Sequence, residues 1–117
     1  MRPVSFSSDP LGDAEWNAVD ATKVISGAPK QAYQIIYSNG GLTCGVYECT
    51  PGKWRVDYAG EDEFCTLIEG RVRLTNAVGE AQEYAAPESF LIPAGFSGAW
   101  EAVTGVRKFF VIHEKAA

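Results

Sequence analysis

Short stretches of alternating apolar and polar residues, separated by turn-forming residues, fill most of the chain. The separators are rich in Gly, Pro, Asn and Asp, which supply a positive φ, a fixed φ or a local side-chain hydrogen bond. A period of two over roughly four to eight residues is typical of β-strands. The pattern predicts ten strands, over residues 23–26, 31–38, 42–49, 54–58, 63–69, 71–76, 81–84, 89–92, 99–103 and 107–113. Because no helix-length periodic segment interrupts the series, we expect an all-β fold that is closed or sandwiched.

The beginning of the chain has a different pattern. Residues 7–10 (Ser-Ser-Asp-Pro) and Gly12 are turn formers, and only residues 13–19 carry a helical signal. In that segment Asp13 is suited to cap a helix and Glu15 would lie in its first turn. The sequence therefore predicts an N-terminal arm, residues 1–21, with a short helix over 13–19, packed on a β-domain of residues 22–117.

Two of the predicted strands are apolar on both faces. In residues 63–69, one face carries Glu63, Cys65, Leu67 and Glu69 and the other carries Phe64, Thr66 and Ile68; residues 108–112 are likewise apolar on both sides. We expect one face to line the interior and the other to meet a second sheet or a second subunit. This pattern predicts a homodimer formed by sheet packing.

Composition narrows the class of protein. A chain of 117 residues with 46% hydrophobic content fits one domain, and its net charge of −5 opposes nucleic-acid binding. Three cysteines without a CxxC spacing predict neither a disulfide framework nor a zinc knuckle. Because no signal pattern and no apolar run of membrane-spanning length is present, we expect a reduced, cytoplasmic protein with no nucleic-acid or membrane partner.

Two segments resemble the motifs of one superfamily. Residues 52–70 (GKWRVDYAGEDEFCTLIEG) resemble the first cupin motif, which reads Gly, spacer, His-x-His, spacer, Glu, six residues, Gly. Residues 87–100 (PESFLIPAGFSGAW) resemble the second motif, Gly-x5-Pro-x-Gly-x2-His, and the likeness covers residues 22–113. Within the cupins the chain is similar to the small single-domain branch related to ureidoglycine aminohydrolase and the ethanolamine-utilisation cupin. The resemblance implies a cupin (RmlC-like) jelly-roll β-barrel of two antiparallel sheets.

The chain departs from the family at the metal ligands that the resemblance implies, three histidines and a glutamate. Glu63 matches the glutamate, but residues 56–59, where His-x-His aligns, contain no histidine, and the last histidine aligns with Gly98. His113 lies where the motif places no ligand. Because a single carboxylate holds a transition metal poorly, we expect no metal cofactor.

A mixed set of donors is the alternative to a metal-free site. Glu63, Cys65 and Tyr58 could form it, with Asp57 in place of Tyr58. A one-residue gap in the alignment leaves open whether Asp57 or Tyr58 faces the interior, since a shift by one residue exchanges the faces of a strand.

Five side chains form the predicted ligand-binding site. Alternation and the resemblance together select Trp54, Tyr58, Glu63, Cys65 and Trp100. Aromatic faces attract cations and a buried carboxylate completes the charge pairing, so such a lining would suit a small amine or another polar metabolite. Alternatively, the aromatic side chains fill the space that a metal and substrate would need, and Glu63 is satisfied by Tyr or backbone donors.

Two further features have both a functional and a structural interpretation. Cys65 could be a nucleophile only beside a base or cation, and an inert buried cysteine is the commoner case. The basic pair Arg107 and Lys108 could reach a carboxylate ligand at the barrel mouth, but surface ion pairing is the expectation for it.

Three functions follow as hypotheses. The favoured one is a metal-independent domain that binds a small metabolite (an amine, ureide or sugar acid) with Glu63 as polar anchor. The second is an enzyme of amine or ureide metabolism, aminohydrolase- or isomerase-like, with Glu63 as catalytic acid or base and Tyr58 and Trp100 shaping the pocket. The third is an inert interaction module with a filled barrel. The missing histidines favour the first, because most cupin enzymes use metal chemistry.

Overall fold

A computed structural model describes residues 1–12 and 14–115, and strands make up most of it. The strands are β1 Asn17–Ala18, β2 Val24–Ser26, β3 Lys30–Asn39, β4 Leu42–Cys49, β5 Gly52–Asp57, β6 Glu61–Glu69, β7 Arg71–Asn76, β8 Ala81–Ala85, β9 Ser89–Ile92, β10 Ser97–Ala102 and β11 Val106–Glu114. All ten predicted strands are present, with bounds that differ by at most two residues. In the part of the chain described, no helix could span a membrane.

The helix predicted over residues 13–19 is wrong for its described part, residues 14–19. Instead, Asn17 and Ala18 form β1 and pair with β3, and the Val19 amide donates to the Pro29 carbonyl at 3.0 Å. Val19 is buried, so pairing with a distant strand satisfies the backbone and also removes an apolar side chain from water. The expected cap, Asp13, lies outside the described residues.

The strands form two antiparallel sheets that face each other. The six-stranded sheet has the order β1-β3-β4-β11-β6-β9 and the five-stranded sheet the order β2-β5-β10-β7-β8. This confirms the jelly-roll barrel. Side chains from both inner faces form the core, among them Leu67, Val72, Ile92 and Trp100.

The N-terminal residues cross the outer face of the six-stranded sheet. The Phe6 ring lies edge-on to Phe109 with 5.2 Å between centroids, and the Leu11 amide donates to Glu48 at 2.7 Å. On the same face, the cross-strand neighbours Phe64 and Leu91 are 46% and 58% exposed. The expected homodimer, which such a patch would suit, stays a prediction.

Gly98 lies on β10 between two strands that approach it closely. It pairs with Val56 on β5 and with Asn76 on β7. A Cβ atom at this position would lie 1.9 Å from the Thr75 carbonyl oxygen, which is backbone and cannot swing aside. The position aligned with the last histidine of the second motif therefore has no room for a side chain.

We expect Gly98→Ala to destabilise the fold by about 1–3 kcal/mol, because the added methyl group forces the β7 and β10 backbones apart. Urea unfolding measures the effect. Gly60→Ala is the matched control, since a Cβ there meets nothing within 4 Å, and we expect it to change stability by less than about 0.5 kcal/mol. Equal effects of the two substitutions would contradict the assigned close approach.

Candidate functional site

A cavity of about 310 Å³ lies between the two sheets. Strands β3, β4, β6 and β11 supply one wall, and β5 and β10 supply the other, with Tyr58 just beyond the end of β5. Six of the lining side chains are aromatic: Tyr33, Tyr47, Trp54, Tyr58, Trp100 and Phe110. Because side chains on alternate positions of a strand point inward, β3, β5 and β11 each contribute residues two apart to the cavity.

A buried ion pair forms one part of the cavity wall. The Lys108 Nζ atom on β11 donates to Glu63 Oε2 on β6 at 3.0 Å, and both side chains are only 6% exposed. Lys108 stands opposite Leu67 in the strand register, whereas Glu63 stands opposite Ile112. The lysine side chain therefore reaches along the inner face of the sheet, past Cys65, whose Sγ atom lies 3.5 Å from Nζ.

Both oxygens of Glu63 are engaged. Oε2 accepts from Lys108, and Oε1 accepts from the Tyr58 hydroxyl at 2.7 Å. A buried carboxylate needs such partners, because leaving it unpaired costs several kcal/mol. Tyr58 is in turn braced by Phe96, whose ring meets it edge-on at 6.3 Å.

Aromatic faces surround the ammonium group. Lys108 Nζ lies 4.3 Å from the ring centroid of Trp100 and 5.0 Å from that of Tyr47. Both distances are within the range of cation–π attraction. Trp54 lies next to Trp100, with 6.4 Å between ring centroids, and both rings line the cavity.

Burial and charge pairing set the protonation states. Desolvation lowers the pKa of Lys108, but the charge and the hydrogen bond of Glu63 outweigh it, and the net pKa is above the ordinary lysine value of 10.5. Burial, helped by the Glu63 charge, raises the pKa of Tyr58. Burial also raises the pKa of Cys65 to about 12, although Lys108 opposes the rise. At neutral pH the site thus holds an ammonium, a phenol and a thiol.

The structure brings most of the predicted site residues together. Trp54, Tyr58, Glu63 and Trp100 line the cavity, whereas Cys65 is fully buried behind it. Tyr58 is the residue that faces inward, and Asp57 is exposed. The high pKa of Cys65 matches the inert interpretation of its thiol. The binding and catalytic roles themselves stay predictions.

The sequence interpretation named Lys108 as able to reach a carboxylate ligand at the barrel mouth, but its expectation of a surface ion pair is wrong for this residue, because Lys108 is buried and pairs with Glu63 inside the barrel. Arg107 forms ion pairs on the outer face, with Glu48 at 3.2 Å and Glu69 at 3.1 Å, but its side chain and that of Glu48 are only 14% and 12% exposed, so this pairing is only partly at the surface. Alternation places residue 108 on the same face as Val106 and Phe110, both buried. This period-two pattern is the signal that could have identified Lys108 as an inward-facing cation.

The donor set does not fit the metal that the resemblance implies. The Lys108 ammonium already lies beside the carboxylate of Glu63 and 3.5 Å from the Cys65 sulfur, and Gly98 offers no ligand and no room for one. Within residues 1–12 and 14–115, no group of three His, Cys, Asp or Glu side chains could hold a metal ion. His113 is 64% exposed, with Asp62 at 3.8 Å, and lies at the surface.

A family model matches the chain, and proteins of known structure have a similar fold. The family model of the EutQ-like cupin domain matches residues 38–110. A protein of unknown function from Pseudomonas syringae pv. tomato superimposes with a TM-score of 0.79 and 22% identity, over 92% of this chain and 46% of that one. The EutQ protein of Clostridium difficile gives a TM-score of 0.67 and 17% identity, over 74% of this chain and 64% of that one.

A putative ethanolamine utilization protein from Salmonella typhimurium is also similar, with a TM-score of 0.65 and 14% identity over 89% of this chain and 98% of that one. At these identities the likeness concerns the fold alone. The chain spans less than half of the Pseudomonas protein and about two thirds of the Clostridium protein. No functionally curated protein matches the chain.

We expect Glu63→Gln and Lys108→Met each to destabilise the fold by about 3–5 kcal/mol, because each leaves one buried charge without its partner. In the double variant the loss of unfolding free energy should be smaller than the sum of the two single losses, since neither charge then remains. Urea unfolding of the four proteins at neutral pH measures this double-mutant cycle.

The stability that the ion pair contributes should also depend on pH. Because the folded pKa of Lys108 is raised, this contribution is complete below pH 10.5 and falls only as pH rises through the folded pKa.

The exposed pair Arg73–Glu83 is the control for that cycle, with side chains 47% and 43% exposed and a distance of 3.1 Å. Arg73→Gln should cost less than about 1 kcal/mol. Additive losses at Glu63 and Lys108 would contradict the coupling that the structure assigns to them.

We expect untagged protein, purified without chelators and then incubated with Mn²⁺, Fe²⁺, Ni²⁺ or Zn²⁺, to retain far less than one metal ion per chain after gel filtration. The physical reason is that the ammonium of Lys108 and the divalent ion would compete for the one carboxylate. Elemental analysis by mass spectrometry checks it. Near-stoichiometric metal that disappears in Glu63→Gln would contradict the account.

Proposed function

The chain belongs to the family of EutQ-like cupin domains, and we propose that its barrel is a metal-independent binding site for a small metabolite. The observation that carries the proposal is the 310 Å³ aromatic cavity with one buried ion pair in its wall. Pockets of this kind, largely apolar with a few fixed polar groups, are where proteins bind small molecules. A filled, inert barrel would leave no such space.

The ligand contacts in this proposal are the faces of Trp54, Tyr58 and Trp100. Glu63 is the anchor of the site, because it fixes the Lys108 ammonium at one oxygen and the Tyr58 hydroxyl at the other. The position of both groups is thus set before a ligand arrives, which reduces the ordering cost of binding.

The hydrogen bonds of Glu63 favour the binding function over the enzyme hypothesis. A catalytic acid or base must reach the proton that it transfers. Here both carboxylate oxygens already accept hydrogen bonds from the protein, at 3.0 and 2.7 Å. A role for Glu63 in holding the site together therefore agrees better with the geometry than proton transfer to a substrate.

We expect a screen of small anionic, neutral and cationic metabolites to contain compounds that raise the melting temperature of the protein. Val56→Trp should abolish these shifts while the fold persists, because Val56 is a half-buried cavity residue on β5 and the indole would fill the space. Scanning calorimetry and isothermal titration measure both effects.

Val78→Trp is the matched control, since Val78 lies in an exposed turn and is 79% exposed. It should leave the ligand-induced shifts intact. The proposal fails if no class of compound stabilises the protein, or if Val56→Trp binds as well as the unmodified chain.

A further inference from the structure

Lys108 has more hydrogen-bond donors than the protein has strong acceptors for it. An ammonium carries three N–H groups. Among the described residues, Glu63 Oε2 accepts one at 3.0 Å, and Cys65 Sγ, a weak acceptor, lies at 3.5 Å. The other near neighbours of Nζ are the faces of Tyr47 and Trp100, which attract its charge but accept no strong hydrogen bond. Because Lys108 also lines the cavity, a bound molecule can supply the missing acceptor.

A second cavity residue also presents donors. Gln31 on β3 accepts a hydrogen bond from the Tyr47 hydroxyl at 2.6 Å through its Oε1 atom. That bond leaves the Gln31 amide N–H groups for a ligand. In contrast, the strongest acceptor in the wall, Glu63, already uses both oxygens. Among the described residues, Lys108 and Gln31 thus offer a ligand N–H groups that have no strong acceptor in the protein, and Lys108 is the charged one of the two.

We propose that the ligand of this cavity carries a carboxylate, which accepts a hydrogen bond from Lys108, on a small apolar body. This rests on the proposed function and names its ligand class. A carboxylate is matched to an ammonium in both charge and hydrogen bonding. Trp54, Phe110 and Ile112 supply apolar surface for the body, and a volume of 310 Å³ is at the small end of the range for ligand pockets.

The same geometry selects against amines, the ligand class that aromatic faces and a buried carboxylate first suggest. Lys108 is itself the cation that occupies Glu63 and the faces of Trp100 and Tyr47. A second cation in the cavity would meet like charge in a weakly screened interior. Lys108 thus determines the charge specificity of the site.

Benzoate, benzyl alcohol and benzylamine test the proposal, because they share a ring and differ in the charge of one substituent. In titration calorimetry with the full chain at neutral pH, benzoate should bind at least about tenfold more tightly than benzyl alcohol, from its charge-assisted hydrogen bond. Benzylamine should bind more weakly than the alcohol. The Glu63→Gln/Lys108→Met double variant should lose the preference for benzoate and still bind the alcohol.

A second measurement on the unmodified protein covers the case in which the double variant does not fold. Intermolecular nuclear Overhauser effects should connect the benzoate ring with side-chain protons of Lys108 and Trp100. Tighter binding of benzylamine or the alcohol than of benzoate, or benzoate bound without these effects, would overturn the ligand class and leave the proposed function standing. If none of the three compounds binds, the ligand class is overturned, and the cavity-binding function fails with it only if the metabolite screen also finds no compound that stabilises the protein.

Discussion

The buried contact between Lys108 and Glu63 is the interaction on which the site depends. Each charge would be costly inside the barrel without the other, since an unpaired ion there loses its hydration and gains nothing in return. Together they join β11 and β6, adjacent strands in the middle of the six-stranded sheet. The same carboxylate holds the Tyr58 hydroxyl, so one buried pair positions the polar groups of the cavity.

The rest of the barrel makes this pair possible. Close strand packing closes the position at Gly98 where the motif would place a histidine, and aromatic rings surround the ammonium instead. The lysine supplies one fixed positive charge beside Glu63, whereas a metal would supply two charges and open coordination positions. A fixed ammonium can orient and bind an anion, but it has no open coordination positions at which a substrate or water could bind and react. The loss of the histidines therefore agrees with the proposed binding role.

Much of this structure follows from local sequence, and the remainder depends on contacts between distant residues. Period-two alternation predicts the ten strands, because each face of a strand has one environment. The inward orientation of Trp54 and Trp100 follows from that alternation together with the resemblance. The short β1 strand has no comparable signal, since it exists only through pairing with β3. The burial of Lys108 was not predicted for a related reason. Lysines are rarely buried without a partner, and the partner of Lys108, Glu63, lies 45 residues earlier in the chain.

Nitrogen-15 NMR of the lysine side chains observes the Lys108 ammonium itself and therefore tests the buried ion pair without an intermediate step. We expect a slowly exchanging ammonium signal for Lys108 that persists from neutral pH past 10.5 and is unchanged by added Zn²⁺, with loss of that signal in Glu63→Gln. A Lys108 signal that titrates below the ordinary lysine value, or that is displaced by Zn²⁺, would contradict a barrel in which lysine takes the place of the metal.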